Sequence, residues 1–154
     1  MLKKVHAKSL KATQGAYAIV ASLYNRRYVD SMVKGAKKIL AEAGAEKVDL
    51  IRVPGAYEIP VVVSKLSEQP VYSAIICLGV VIRGETAHAQ LIGEAVTQAL
   101  MQIQVQQKVP VIHEVLLLEN EDQAKVRCLD PEHNRGIEAA QTAITMAKII
   151  GKLG

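Results

Sequence analysis

The chain has 154 residues, enough for one domain, read as spanning 1–154, with a sizeable core. Half the residues are hydrophobic and 22% are charged, a balance that excludes a disordered polyelectrolyte. The net charge is +4, yet aromatics make up only 3%. Much of the excess lies in Lys3, Lys4, Lys8 and Lys11, so it reads as a solvated N-terminal arm over 1–15, not as a surface for nucleic acid.

The longest apolar run, Ala74 to Ile82, is strand-sized and too short to cross a bilayer, so no membrane partner is expected. The basic N-terminus has no apolar stretch of the kind a secretory signal needs. Cys77 and Cys128 lack metal-ligand spacing, and Cys77 sits within an apolar run. Two such thiols fit a reducing, cytoplasmic setting.

Strand and helix patterns alternate. Ala16 to Ser22 (AYAIVAS) is an apolar run of strand length. From Ser31 to Ala43 the apolar residues recur on one helical face, with Asp30 as candidate N-cap and Gly44 as the stop. Val48 to Val53 is a second strand. Pro54-Gly55 interrupts it, and a helix restarts around Glu58, with Pro60 in its first turn. Ser73 to Gly79 (SAIICLG) is a third strand. Gly84 allows a tight turn there, and Glu85 and Thr86 open a long helix with Leu91, Ile92, Ala95, Val96, Ala99, Leu100 and Ile103 on one side.

Val109 to Leu118 holds a fourth strand, Asn120 caps a short helix, and Asn134 to Ile150 forms the last helix. Four near-continuous apolar strands separated by helices specify an α/β, doubly wound, three-layer domain with a parallel sheet.

In such a sheet, ligands bind beyond the carboxyl ends of the strands. Four polar clusters are expected at that rim: Leu23-Tyr24-Asn25, Pro54 to Glu58, Val80 to His88, and His113-Glu114. A helix opening at Glu85 and Thr86 would offer backbone N–H groups to an anion, and His88, one turn in, is the residue type that exchanges protons near neutral pH. A plain helix cap with a solvated histidine explains the same residues. Likewise Tyr24 can be a packing aromatic, Glu58 a lysine partner and Arg127 a solvated residue. His113 interrupts the run VPVIHEVLLL and needs a partner, a cavity or solvent. There is no dinucleotide glycine fingerprint, Walker lysine, nucleophile elbow or metal cluster.

VPGAYEIP (Val53 to Pro60) followed by LGVVIRGETAH (Leu78 to His88) resembles the paired signature of lumazine synthases, and IVASLYN, ENEDQAKVR and NRGIEAA extend the likeness over almost the whole chain. The resemblance implies a flavodoxin-like three-layer sandwich with a four-stranded parallel sheet. It implies condensation of a ribitylaminouracil with a four-carbon sugar phosphate, without metal or organic cofactor, in active sites between the subunits of a pentamer. By the same resemblance, Tyr24 stacks on the pyrimidine with Asn25 beside it. Ala56, Tyr57 and Glu58 hold the ribityl chain, and the backbone of Val80, Val81 and Ile82 reads the pyrimidine edge. Glu85 and Thr86 bind phosphate and His88 is the catalytic proton donor. Arg127 is the phosphate-binding arginine of an adjacent subunit, and Arg135 stands where the family often has lysine.

His113 replaces the usual phenylalanine from the neighbouring subunit, Glu114 is atypical, and Ala89-Gln90-Leu91 replaces a commonly aromatic and acidic stretch. The length of CLDPEHNR matches shell-forming relatives, which implies a sixty-subunit icosahedral shell, with the bare pentamer and the decamer as alternatives. Rival readings are another nucleotide-handling α/β enzyme, a non-catalytic lumazine or flavin binder, which His113 favours, and a scaffold or compartment protein.

Overall fold

The computed structural model describes residues 2–154. Four parallel strands form its sheet: β1 (Ala16–Ser22), β2 (Lys47–Val53), β3 (Tyr72–Ile82) and β4 (Val111–Leu118), in the order β2-β1-β3-β4. The helices are α1 (Arg26–Glu42), α2 (Ile59–Ser67), α3 (His88–Gln107), α4 (Glu121–Ala124) and α5 (Arg135–Leu153). The strand order reverses at β1 and β3, which puts the topological switch point, and with it the natural ligand crevice, beyond their carboxyl ends.

β1 is buried along its whole length because both faces of the sheet are covered. Tyr17, Ile19 and Ala21 pack with Ala74, Ile76 and Leu78 of β3 under α1 and α5. Ala18 and Val20 pack with Ile75 and Cys77 under α2 and α3. Ile19, Ile75 and Ile76 are completely enclosed, and each such side chain stabilises the fold by about 1.5–3 kcal/mol through burial alone.

The helices α1 and α5 meet at two glycines. A Cβ on Gly136 would stand 2.0 Å from the carbonyl oxygen of Met32, and one on Gly35 would stand 2.9 Å from Ile137 Cγ1. Only hydrogen atoms fit at this crossing. Asn134 caps α5 by accepting from the N–H groups of Gly136 and Ile137, while its amide donates to the carbonyl of Cys128 at 3.0 Å. The arm before β1 runs against its own chain: Val5 N–H donates to the Glu132 carbonyl, Ala12 N–H to that of Ala43, and the Gln141 amide to that of His6.

Several boundaries differ from the sequence expectation. α1 starts at Arg26, so Asp30 lies inside it and Asn25 precedes it in a left-handed conformation, φ 57°. Tyr28 and Val29 are buried in the extra turn, which adds apolar contact ahead of the visible periodicity. β3 continues past Gly79 to Ile82 because Val80, Val81 and Ile82 pair with Leu116, Leu117 and Leu118. α3 begins at His88, so Glu85 and Thr86 belong to the preceding loop and His88 opens the helix instead of lying one turn in. Gly84 has no positive φ, and a Cβ added to it would meet nothing within 4 Å. No steric demand of the chain itself explains that glycine.

Candidate active site

A cleft of about 790 Å³ opens beyond the ends of β1 and β3. Tyr24, Asn25, Gly55, Ala56, Tyr57, Glu58, Val80, Val81, Ile82 and His88 line it, joined by Leu91, Ile92 and Ala95 of α3. Its size suits a ligand of drug-like dimensions.

Local hydrogen bonds build its walls. After β1, the N–H groups of Leu23 and Tyr24 both donate to the Pro54 carbonyl, fastening this turn to the end of β2. The Asn25 amide donates to the Val80 carbonyl at 2.8 Å. That bond consumes the side chain that would otherwise cap α1, which has no side-chain cap.

Gly55 lies under the Tyr24 ring, and a Cβ there would come within 3.0 Å of both Tyr24 Cδ2 and Glu58 Oε2. The bare backbone therefore lets ring and carboxylate settle over the turn. Glu58 Oε2 accepts the Gly55 N–H at 3.0 Å. Tyr24 and Tyr57 leave 71% and 65% of their surface exposed on either side, two free aromatic faces able to cover a planar ring.

His88 opens α3, and its backbone N–H donates to Thr86 Oγ1 at 3.3 Å. The positions at three, four and seven residues beyond it, Leu91, Ile92 and Ala95, share its helical face and form the apolar wall. The sequence reading groups these three with Val96, Ala99, Leu100 and Ile103 on one apolar side of the helix. Their spacing from His88 is the signal that marks them as cleft residues.

Among the candidates, Glu85, Thr86, His113, Glu114, Arg127 and Arg135 do not line this cleft within one chain. Glu85 and Thr86 are exposed in the loop just before His88. His113 and Glu114 occupy the third and fourth positions of β4, opposite Cys77 and Leu78, and not the rim where the sequence reading puts them. Consecutive strand residues point to opposite faces. His113 turns to α3, where Nε2 lies 2.8 Å from Thr97 Oγ1 and Nδ1 accepts the Val115 N–H at 3.1 Å. With Nδ1 an acceptor, the ring is neutral and its proton sits on Nε2. Burial also holds its pKa below the usual histidine value.

Glu114 turns to the other face. Burial, then repulsion from Glu138, pushes its pKa up to about 7 against the opposing pull of Arg135. Arg135 forms an ion pair with Glu138. Arg127 is half-buried on a wide helical turn, Lys125–Leu129, that follows α4. Its Nη1 reaches the Gln123 carbonyl at 3.5 Å, and Ser31 Oγ fixes the turn by donating to the Cys128 carbonyl at 2.7 Å.

Neither thiol is poised as a nucleophile: burial pushes Cys128 up to about 12 and raises Cys77 as well. Among the described residues, Asp130, Glu132 and His133 bring potential metal-ligand atoms within 4.8 Å of one another. They lie outside the cleft, and His133 Nδ1 is already 2.9 Å from Asp130 Oδ2 while Glu132 pairs with Lys4. No helix is long and apolar enough to cross a membrane among the described residues.

The family described as 6,7-dimethyl-8-ribityllumazine synthase matches residues 14–150. The protein of that name from Xanthomonas euvesicatoria pv. vesicatoria is 37% identical over 143 residues, covering 92% of this chain and 93% of its own length. Its namesake from Xylella fastidiosa is 36% identical over 146 residues, covering 94% and 95%. A match over nearly the full length of both partners, joined to a parallel sheet whose cleft carries the VPGAYEIP and VVIRGETAH segments, places this chain in the 6,7-dimethyl-8-ribityllumazine synthase family, enzymes of riboflavin biosynthesis.

Proposed function

We propose that the chain condenses 5-amino-6-(D-ribitylamino)uracil with 3,4-dihydroxy-2-butanone 4-phosphate to give 6,7-dimethyl-8-ribityllumazine, phosphate and water, without metal or organic cofactor. The observation that carries this reading is the cleft at the switch point, which Tyr24, Glu58 and His88 line together with the apolar Leu91, Ile92 and Ala95.

In this reading the pyrimidine lies against Tyr24, with Asn25 beside it. The carbonyls and N–H groups of Val80, Val81 and Ile82 read its edge, and Ala56, Tyr57 and Glu58 hold its ribityl chain. The 5-amino group attacks the ketone and water leaves to form the imine. Proton transfer and loss of phosphate follow. That loss leaves an enol that tautomerises to a new carbonyl at C3, with C4 as the second methyl. The ribitylamino nitrogen attacks this carbonyl, and a second water leaves as the ring closes. Holding the two reactants together is the main contribution. His88 moves protons in imine formation and elimination. Glu85 and Thr86, in the loop ahead of α3, and the cations Arg127 and Arg135 take the phosphate.

Arg127, Arg135 and His113 lie away from their own chain's cleft, which supports their acting at the cleft of a neighbouring copy. We read the chain as a homo-oligomer: a pentamer, built further into a sixty-subunit icosahedral shell. Exposed Val61 on α2 and Met101 and Val105 on α3 support such contacts. The two free, buried thiols support a cytoplasmic location, and 1–154 is read as one domain with 1–15 as its arm. Purified protein mixed with both substrates should develop lumazine fluorescence, and light scattering should report the assembly. Absence of fluorescence with both substrates present overturns the reading.

A further inference from the structure

Arg83 has no part in the chemistry just described, yet it joins three separate pieces of the site. Its backbone N–H donates to the Leu118 carbonyl at 2.8 Å, extending the ladder between β3 and β4 by one residue. Its Nε donates to Glu119 Oε1 at 2.8 Å, and its Nη2 donates to Gln90 Oε1. Gln90 is aimed in turn by its own amide, which donates to Glu94 Oε1 at 2.8 Å.

A relay Glu119–Arg83–Gln90–Glu94 therefore runs from the exit of β4, across the exit of β3, to the first two turns of α3. It spans the loop that holds Glu85 and Thr86 and ends at His88. The described hydrogen bonds within that loop are local, as in the contact of Thr86 Oγ1 with His88 N–H.

An ion pair this exposed, 34% at Arg83 and 61% at Glu119, contributes little to stability. Its geometry has another use. The planar guanidinium fixes two directions at once, toward strand exit and helix start, which an ammonium cannot do. Gln90 and Glu94 line the groove on the flank of α3 toward Val115 and Leu117, while His88, Leu91 and Ile92 face the cleft. The guanidinium thus holds the first turn of α3 from behind.

We propose that Arg83 is the positioning residue that sets His88 and the Glu85-Thr86 loop over the cleft. The role assigned to that imidazole rests on the condensation reading above.

The test compares the intact protein with Arg83→Met, Arg83→Lys and Gln90→Ala. Turnover, KM for each substrate and hydrogen exchange of the 84–90 segment are measured. Arg83→Met should lower kcat about ten- to hundred-fold. It should raise KM for the phosphate substrate, leave KM for the pyrimidine within about two-fold, and speed exchange in 84–90 alone. Gln90→Ala should do the same more weakly, and Arg83→Lys should recover part of kcat.

Unchanged exchange in Arg83→Met overturns the clamp. Faster exchange with unchanged kcat overturns its role at the site, as does an equal loss for both substrates. Should the parent protein not condense the two substrates, the condensation reading fails, while the exchange measurement still decides whether Arg83 holds the loop.

Discussion

The side-chain amide of Asn25 reaches across the sheet to the carbonyl oxygen of Val80, at 2.8 Å, and closes the cleft floor between the ends of β1 and β3. Asn25 does so from a left-handed backbone, φ 57°, that asparagine and glycine tolerate and alanine does not. Asn25→Ala should therefore cost about 1–3 kcal/mol, the sum of a lost hydrogen bond and backbone strain. Asn25→Gly should recover the strain part only. Urea unfolding of the three proteins separates the two contributions, and equal stability of the alanine and glycine variants would refute the strain argument.

Glu114 gives the protein a pH-dependent stability. Its carboxyl, pushed up from 4.5 to about 7, binds its proton more tightly in the folded chain than in the unfolded one. Stability should then fall as pH rises through that interval and stay reduced above it. Glu114→Gln removes the charge that burial and Glu138 oppose. It should raise stability at pH 8 by about 1–3 kcal/mol and change little at pH 4. Thermal melts at the two pH values check this, and a gain that is the same at both would contradict it.

Gly84 is expected to matter to a ligand and not to the fold. Its φ is ordinary and a methyl group there meets no atom of the chain within 4 Å. Gly84→Ala should leave stability within about 0.5 kcal/mol while weakening the phosphate substrate several-fold. Calorimetric titration with each substrate, beside a melting curve, distinguishes this from a general loosening.

His88→Ala should slow turnover by about 10²–10⁴-fold and leave pyrimidine affinity largely intact. Arg127→Ala should weaken the phosphate substrate much more than the pyrimidine. Steady-state kinetics with each substrate varied in turn provides the comparison. Unchanged turnover removes His88 from the mechanism, and equal losses remove Arg127 from the phosphate site.

What could be read from the sequence was whatever local pattern controls. β1 runs from Ala16 to Ser22 as expected, because a strand covered on both faces needs an unbroken apolar run. Tyr24, Glu58 and His88 meet because strand ends converge in a parallel sheet. The last residues of β3 were hidden by Gly79, which looks like a stop until Val80 to Ile82 are seen paired with Leu116 to Leu118. The start of α3 was misplaced because Glu85 and Thr86 carry helix-opening chemistry, while the chain stays extended through Arg83, hydrogen-bonded to Leu118. His113 could not be placed from its neighbours: its partner Thr97 lies on another element, and the imidazole is satisfied within its own chain.

The crossing of α1 and α5 at Gly136 carries its own consequence. There main chain rests on main chain, the Met32 carbonyl filling the space a methyl group would need. No nearby side chain can be trimmed to make room, so randomising that codon and selecting for folded protein should return glycine alone, and suppressors elsewhere should not rescue the rest. The interval between these helices is a fixed gauge, against which the turn bearing Arg127 is set whatever else in the sequence drifts.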